Sequence, residues 1–364
     1  MYSVHQHWDP LKVCAVGKSY SPEFYSFIEN VRVRSVLETI AQETEEDYQK
    51  LIALLESFGV QTIRPTLTED REQYLTNGKY DRPPMCPRDT TIMIGEQFYI
   101  DQSNSTYTNA WPNIWSNLVD LVRANGNEVI PFNNINGAMT TRAGKDLYHG
   151  TTDRNLYHGP ADNTVSPYLE DLQINMTKRF PNYRNHIVNT VGHGDSMYCP
   201  VKPGLIVSLH DVQIYADTFP DWEVVYLPEQ SWLKVEPFLQ LKGKNAGKWW
   251  VPGQELNDEF TEFIENWLTH WVGYVEETVF DVNMLVIDKH NVACNNYNKD
   301  VFDAFERHGI TPHIINFRHR YFWDGGLHCI TSDIHREGIQ EDYFPERGAN
   351  GYIPYMGRQI SDYF

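Results

Sequence analysis

Four short segments of this 364-residue chain carry side chains able to do covalent or proton-transfer chemistry. Cys329 stands in Asp324-Gly-Gly-Leu-His-Cys329-Ile-Thr-Ser-Asp333, where paired glycines let the backbone approach another group closely or adopt positive φ. A cysteine presented on such a loop is a candidate nucleophile, although a lone cysteine is also commonly a small buried hydrophobe. His193-Gly-Asp195 sets an imidazole and a carboxylate two residues apart, so on an extended chain both point to one side. A cysteine nucleophile needs such a histidine, which lowers the thiol pKa by pairing with the thiolate and then carries a proton to a leaving group. Cys86-Pro87-Arg88-Asp89 is a proline-fixed strand entry with a charged pair, and Thr140-Thr-Arg142-Ala-Gly144-Lys145-Asp146 puts an arginine and a glycine ahead of another short strand. Taken singly, the His193 and Cys86 segments read better as surface turns, and the Arg142 segment reads equally well as one.

The elements that must position these groups are mixed α and β. Strands are expected at Leu11 to Gly17, Thr90 to Ile100 (two strands turning at Gly95-Glu96), Glu128 to Phe132, His186 to Val191, Leu205 to Leu209, Glu223 to Leu227, Met284 to Ala293 and His313 to Phe317. The clearest helix runs from about Thr44 to Phe58, with Tyr48, Leu51, Ile52, Leu55 and Phe58 on one face and Gly59 as its stop. A second spans Asp300 to His308, and others are expected at 112–124, 165–178 and 256–271. A helix ending in glycine before a short β-branched strand appears at Phe58-Gly-Val-Gln-Thr-Ile63 and again at His308-Gly-Ile-Thr-Pro-His-Ile-Ile315, the outline of a pseudo-repeated α/β fold. The stretch from Lys242 to Gly253 reads as a surface insertion, and Ile339 to Phe364 as a tail that packs.

Composition narrows the function classes. Apolar residues make up 41% of the chain, a globular share. Thirty Lys plus Arg against 49 Asp plus Glu give a formal charge of -19, which repels phosphate backbones and anionic lipid surfaces, so neither nucleic acid nor a membrane is expected as a partner. Five widely spaced cysteines include no C-x-x-C pair, and the spacings of His319, His328 and His335 match no common zinc pattern, so no metal is expected. The first ten residues show no basic region followed by an apolar run. With free thiols, this points to a cytoplasmic protein.

Read in order, Trp8-Asp9-Pro10-Leu11, Pro87-Arg88-Asp89, Arg142-Ala-Gly144-Lys-Asp146, His193-Gly-Asp195 and Gly325-Gly326-Leu-His-Cys329 resemble the amidinotransferase branch of the guanidino-group-modifying enzymes, typified by arginine:glycine amidinotransferase. The similarity spans nearly the whole chain and is closest over Asn283 to Gly338. It implies a single domain over residues 1–364 with the pentein α/β-propeller fold, about five ββαβ-type modules around a central channel. It implies an amidino group moved from a guanidino donor, L-arginine, to a glycine-like primary amine, and a homodimer. Carried over by position, Cys329 is the nucleophile, His193 the proton carrier, and Asp89 and Asp195 hold the guanidinium, whose planar N–H forks suit carboxylates. Arg142 and Glu277 complete the expected substrate-binding set.

Two positions depart from the family. Its members carry Asp-Ala-Ala-Asp before Arg-Ala-Gly, the last Asp pairing with the catalytic histidine, whereas this chain reads Asn136-Gly-Ala-Met139. Either a carboxylate such as Glu276 or Glu277 substitutes, or His193 is less well poised. Val212 stands where glycine amidinotransferases place an arginine for the donor's carboxylate. Two other readings stay open: a guanidino hydrolase (deiminase) of the same superfamily, and a guanidino-ligand binding protein without turnover. Trp323, beside the cysteine loop, is a candidate wall of the substrate pocket.

Overall fold

Helix α1 (Val31–Ser57) starts well before the expected Thr44. Asn30 caps it by accepting hydrogen bonds from the N–H groups of Arg32 and Val33 at 3.0 and 3.3 Å, and the buried stripe runs from Val33 through Leu37, Ile40, Ala41 and Thr44 to Leu55. The alternation in Val31-Arg-Val33-Arg34 has the period of a strand and hides the start of the helix.

The computed structural model describes residues 1–101, 114–132, 136–151, 167–190, 193–209, 215–227, 249–272 and 281–348, with the short strands 352–353 and 358–359. Among them are five three-stranded sheets of one connectivity. In each, an antiparallel pair is followed, after a helix, by a third strand parallel to the second. Strands β3 (Thr91–Ile94) and β4 (Gln97–Asp101) are joined through α2 (Ser116–Ala124) by β5 (Glu128–Phe132). The second sheet is β6 (Thr140–Ala143), β7 (Asp146–Thr151), α3 (Pro167–Arg179) and β8 (Arg184–Asn189). The third is β9 (Tyr198–Lys202), β10 (Leu205–Ser208), α4 (Tyr215–Thr218) and β11 (Glu223–Tyr226). The fourth is β12 (Leu285–Asp288), β13 (Asn291–Cys294), α6 (Lys299–Arg307) and β14 (Thr311–Ile314), with α5 (Asp258–Trp267) preceding it in the chain. The fifth joins far-separated segments: β15 (Thr331–Arg336) pairs antiparallel with β1 (Leu11–Val16), which after α1 pairs parallel with β2 (Gln61–Ile63).

The repeated helix–glycine–strand outline belongs to this connectivity. Gly59, Gly126 and Gly309 each follow a helix and precede the parallel third strand, with φ of +73°, +83° and +67°, a region that costs other L-residues about 1–2 kcal/mol. The expected strands occur, with ends displaced by up to three residues. Strand β14 begins at Thr311 instead of His313 and includes Pro312; it lies on a sheet edge, where a missing N–H breaks no ladder.

The stretch read as a surface insertion is corrected where it can be described. Trp249 and Val251 are buried in the largest apolar core, Trp249 against Phe260 and Phe322, because Trp250 N–H bonds to the Tyr321 carbonyl and ties the segment to the cysteine loop's helix α7 (Arg320–Trp323). Residues 242–248 lie outside the described residues. Phe344 is buried against Phe219 and Trp222, so the tail packs through that point. Among the described residues no helix is long and apolar enough to cross a membrane.

Candidate active site

The cysteine loop is held open for chemistry by one amide. Between α7 and β15 the chain passes Asp324 at φ +51°, then Gly325 and Gly326. A Cβ on Gly326 would lie 2.6 Å from Oδ1 of Asn283, so only glycine lets that side chain reach the loop. Asn283 Oδ1 accepts from the N–H groups of His328 and Cys329 at 2.9 and 3.1 Å, and its Nδ2 donates to the Cys329 sulfur at 3.0 Å and the Asp195 carbonyl at 3.1 Å. Sequence reasoning missed Asn283 as a functional residue, because its importance is a contact across 46 residues of chain.

Around this thiol the structure gathers three of the expected groups. Cys329 Sγ donates to Asp195 Oδ2 at 3.3 Å. Asp195 lies in a 3-10 turn, Gly194–Ser196, immediately after His193. Nδ1 of His193 is 3.6 Å from Asp89 Oδ1, and Asp89 ends the turn Pro87–Asp89 that leads into β3. Cys329, Asp195 and Asp89 are largely buried, while the His193 side chain is 37% exposed and so open to a second reactant.

The electrostatics suit a cationic occupant. Burial, then Asp195, Cys86 and Asp89, push the Cys329 thiol well above its ordinary value. Burial also raises Asp89, against the lowering influence of His193 and Arg82. Asp195 feels the same burial, but the hydrogen bond from His328 Nδ1 at 2.8 Å and the charges of His193 and Arg88 outweigh it, and its carboxyl is lowered. His328 itself is pushed down to about 4 by burial and Arg88, so at pH 7 it is a neutral donor that orients Asp195. Two carboxylate oxygens, Asp89 Oδ1 and Asp195 Oδ1, are buried and accept no hydrogen bond among the described residues, a costly state for a polar atom.

Arg142 is placed elsewhere and corrected accordingly. Its guanidinium is 1% exposed; one terminal nitrogen donates to both Asp333 oxygens at 2.7 and 2.8 Å and the other to the Met93 carbonyl at 2.6 Å, commitments that hold sheets together. Arg88 at 3.0 Å and Arg336 at 2.8 Å converge on the same carboxylate, which is held well below its usual range despite burial. Arg88 also donates to the His328 carbonyl at 2.9 Å, tying the cluster to the cysteine loop. Trp323 is corrected as well: it is fully buried, its Nε1 donating to Thr44 at 2.8 Å, and is core, not pocket wall. Glu276, Glu277 and Val212 lie outside the described residues. In place of the missing Asp at Met139, Asn136 Nδ2 stands 3.1 Å from Nε2 of His193.

Comparison with known proteins places the chain near amidinotransferases. The chain is 22% identical to inosamine-phosphate amidinotransferase 1 of Streptomyces glaucescens over 392 aligned positions covering 94% of the chain and 99% of that protein. It is 25% identical to the mitochondrial glycine amidinotransferase of Xenopus tropicalis over 168 positions, 45% of the chain. The solved structure of the inosamine-phosphate amidinotransferase StrB1 of Streptomyces griseus superposes with a TM-score of 0.62 at 19% identity, covering 94% of this chain and 99% of that one. In sequence the chain is thus similar to amidinotransferases, and it shares the fold of their solved structures. SxtG, an amidinotransferase of saxitoxin biosynthesis from Microseira wollei, superposes with a TM-score of 0.61 at 16% identity over 94% and 99% of the two chains. The match to the frog enzyme spans about a third of that protein's length, 32%. No family model matches the chain.

Proposed function

We propose that this amidinotransferase relative moves an amidino group from L-arginine or a close guanidino donor to a glycine-like primary amine, through an amidino group carried on Cys329. The observation that carries the reading is the pair of buried, unsatisfied carboxylate oxygens on Asp89 and Asp195 beside the thiol. A guanidinium has five N–H donors in a plane and satisfies both acids at once, which also fixes its carbon against the sulfur.

The cation's arrival offsets the negative charge that holds the thiol proton, so substrate binding itself favours the thiolate. His193 takes the thiol proton as sulfur attacks the guanidinium carbon, and returns it to the donor's alkyl amine as the C–N bond breaks. In the second half the incoming amine gives a proton to His193 and attacks the same carbon, the C–S bond breaks, and His193 passes that proton to the departing sulfur to restore the Cys329 thiol. Asn283 and His328 keep sulfur and acid in place throughout. In this reading the five sheets are the blades of a propeller around a central channel, in one domain, and the protein is a cytoplasmic homodimer that uses no cofactor. Glu277 remains a proposed substrate contact.

The test is mass spectrometry of products from the purified protein with arginine, alone and with a panel of amines including glycine. Ornithine formed only with an amine present, together with the guanidinylated amine, is the expected result, and C329A abolishes it. Citrulline and ammonia from arginine alone would instead assign a hydrolase, and no product in any combination would overturn turnover of arginine.

A further inference from the structure

The amide of Asn136 is oriented by its own turn. Asn136 caps the 3-10 turn Gly137–Met139, and its Oδ1 accepts from the N–H of Ala138 at 2.8 Å. The atom turned towards His193 is therefore Nδ2, 3.1 Å from Nε2 of the ring. An amide NH2 has only protons to offer. The ring nitrogen facing it must bring a lone pair, and the proton of the neutral imidazole goes to Nδ1, on the Asp89 side. An imidazolium would set N–H against N–H at this contact.

We propose that Asn136 is a positioning residue for the transfer, holding His193 as the neutral imidazole with its proton on Nδ1 and opposing protonation at Nε2, so that it limits the supply of the acid needed to expel the donor's amine. The proposal rests on His193 being the proton carrier. Among the described residues, the charged groups facing the ring include Asp89 on the turn before β3 and Asp195 on the ring's own turn. Behind them stand Arg82 and Arg88, acting on the carboxylates, and Cys329, bonded to Asp195. Both carboxylates favour the imidazolium, and the Asn136 amide works against it. A carboxylate at the same position would keep the cap, one oxygen still accepting from Ala138, and would turn the other, an acceptor, towards Nε2. N136D thus reverses the polarity of one contact while preserving shape and turn.

The experiment is nitrogen NMR of the unliganded full chain labelled with 15N-histidine, with the His193 resonances assigned by their loss in H193Q. In the wild type, Nε2 of neutral His193 gives the signal of an unprotonated ring nitrogen and Nδ1 that of a protonated one. In N136D the tautomer reverses, and the His193 titration midpoint rises by about one pH unit, a roughly tenfold gain in proton affinity. N136A, which removes the opposing donor without adding charge, gives a smaller rise, and it serves equally if N136D does not fold. A protonated Nε2 in neutral wild-type His193, or midpoints unchanged in the variants, overturns the proposal. A second readout is ornithine release from arginine: the alkaline limb of its rate moves up by about one pH unit in N136D, whereas a merely structural role would lower the rate at every pH. The NMR arm needs no turnover, so a failure of arginine as donor is distinguishable from a failure of the assignment to Asn136.

Discussion

The thiol of Cys329 points at the carboxylate of Asp195 across 3.3 Å, and both groups are buried. A nucleophile facing an anion is held as the neutral thiol, so the free protein is guarded against adventitious reaction. Alkylation of Cys329 by iodoacetamide at pH 7, followed by peptide mass spectrometry, should run slower than that of an unhindered cysteine. In D195N the rate should rise about tenfold, because one unit of negative charge beside sulfur is removed. A wild-type rate matching free cysteine would contradict this account of the site.

Asn283 should matter more to rate than to fold. N283A removes the donor to sulfur and the acceptor for two loop N–H groups. A hydrogen bond to a charged group contributes about 1.5–3 kcal/mol, so kcat should fall about 10- to 100-fold with thermal stability changed far less. G326A, whose Cβ would displace the same side chain, should reproduce the loss. Full activity in both variants would remove Asn283 from the mechanism.

Asp333 is the counter-charge for three buried arginines. D333N leaves their charges without a carboxylate and should destabilise the protein by about 3–5 kcal/mol, read as a lowered urea midpoint. Its depressed folded pKa fixes the sign of the acid dependence. The unfolded chain takes up this proton near pH 4 and the folded one only well below it, so the stabilisation is complete above about pH 5 and is lost as pH falls further. D333N should flatten that acid limb.

Buried histidines give a second, separate pH window. His149 and His328 are each pushed down to about 4, burial being the main cause. Between about pH 6.5 and pH 4 the unfolded chain binds these protons and the folded chain does not, so stability should decline as pH drops through that interval, by up to about 1.4 kcal/mol per pH unit for each group. Urea unfolding at pH 7 and pH 5 measures the slope, and H149Q should reduce it. Equal stability at the two pH values would show that these rings ionise freely in the folded protein.

How much of this was legible beforehand depended on the range of the interaction. Local signals served well: the glycines after α1 and α6 and the apolar stripe of α6 marked a repeated unit, and the motif residues Cys329, His193, Asp195 and Asp89 do meet. Contacts made across the chain were not legible. Asn283 and Asn136 are polar residues at segment ends, where a cap or turn explains them without further meaning, and only the folded positions of the Cys329 sulfur and the His193 ring give them a role. Arg142 shows the opposite failure. A motif position suggested a ligand contact, but a strand residue pointing into the interior meets Asp333 first.

The pairing of Leu11 with Arg336 in the fifth sheet bears on how the molecule can be made. Strand β1 leaves the ribosome among the first segments of the described chain, yet its antiparallel partner β15 follows only after the other four sheets have been translated. Until then β1 can pair only with β2, and its other edge is an unpaired template for foreign strands. Joining segments so distant in sequence is also entropically demanding and slow. Cys329 lies two residues before β15, so the nucleophile reaches its pocket in the same event that closes the sheet: a nascent chain that stalls early carries Asp89 and Asp195 but no reactive centre.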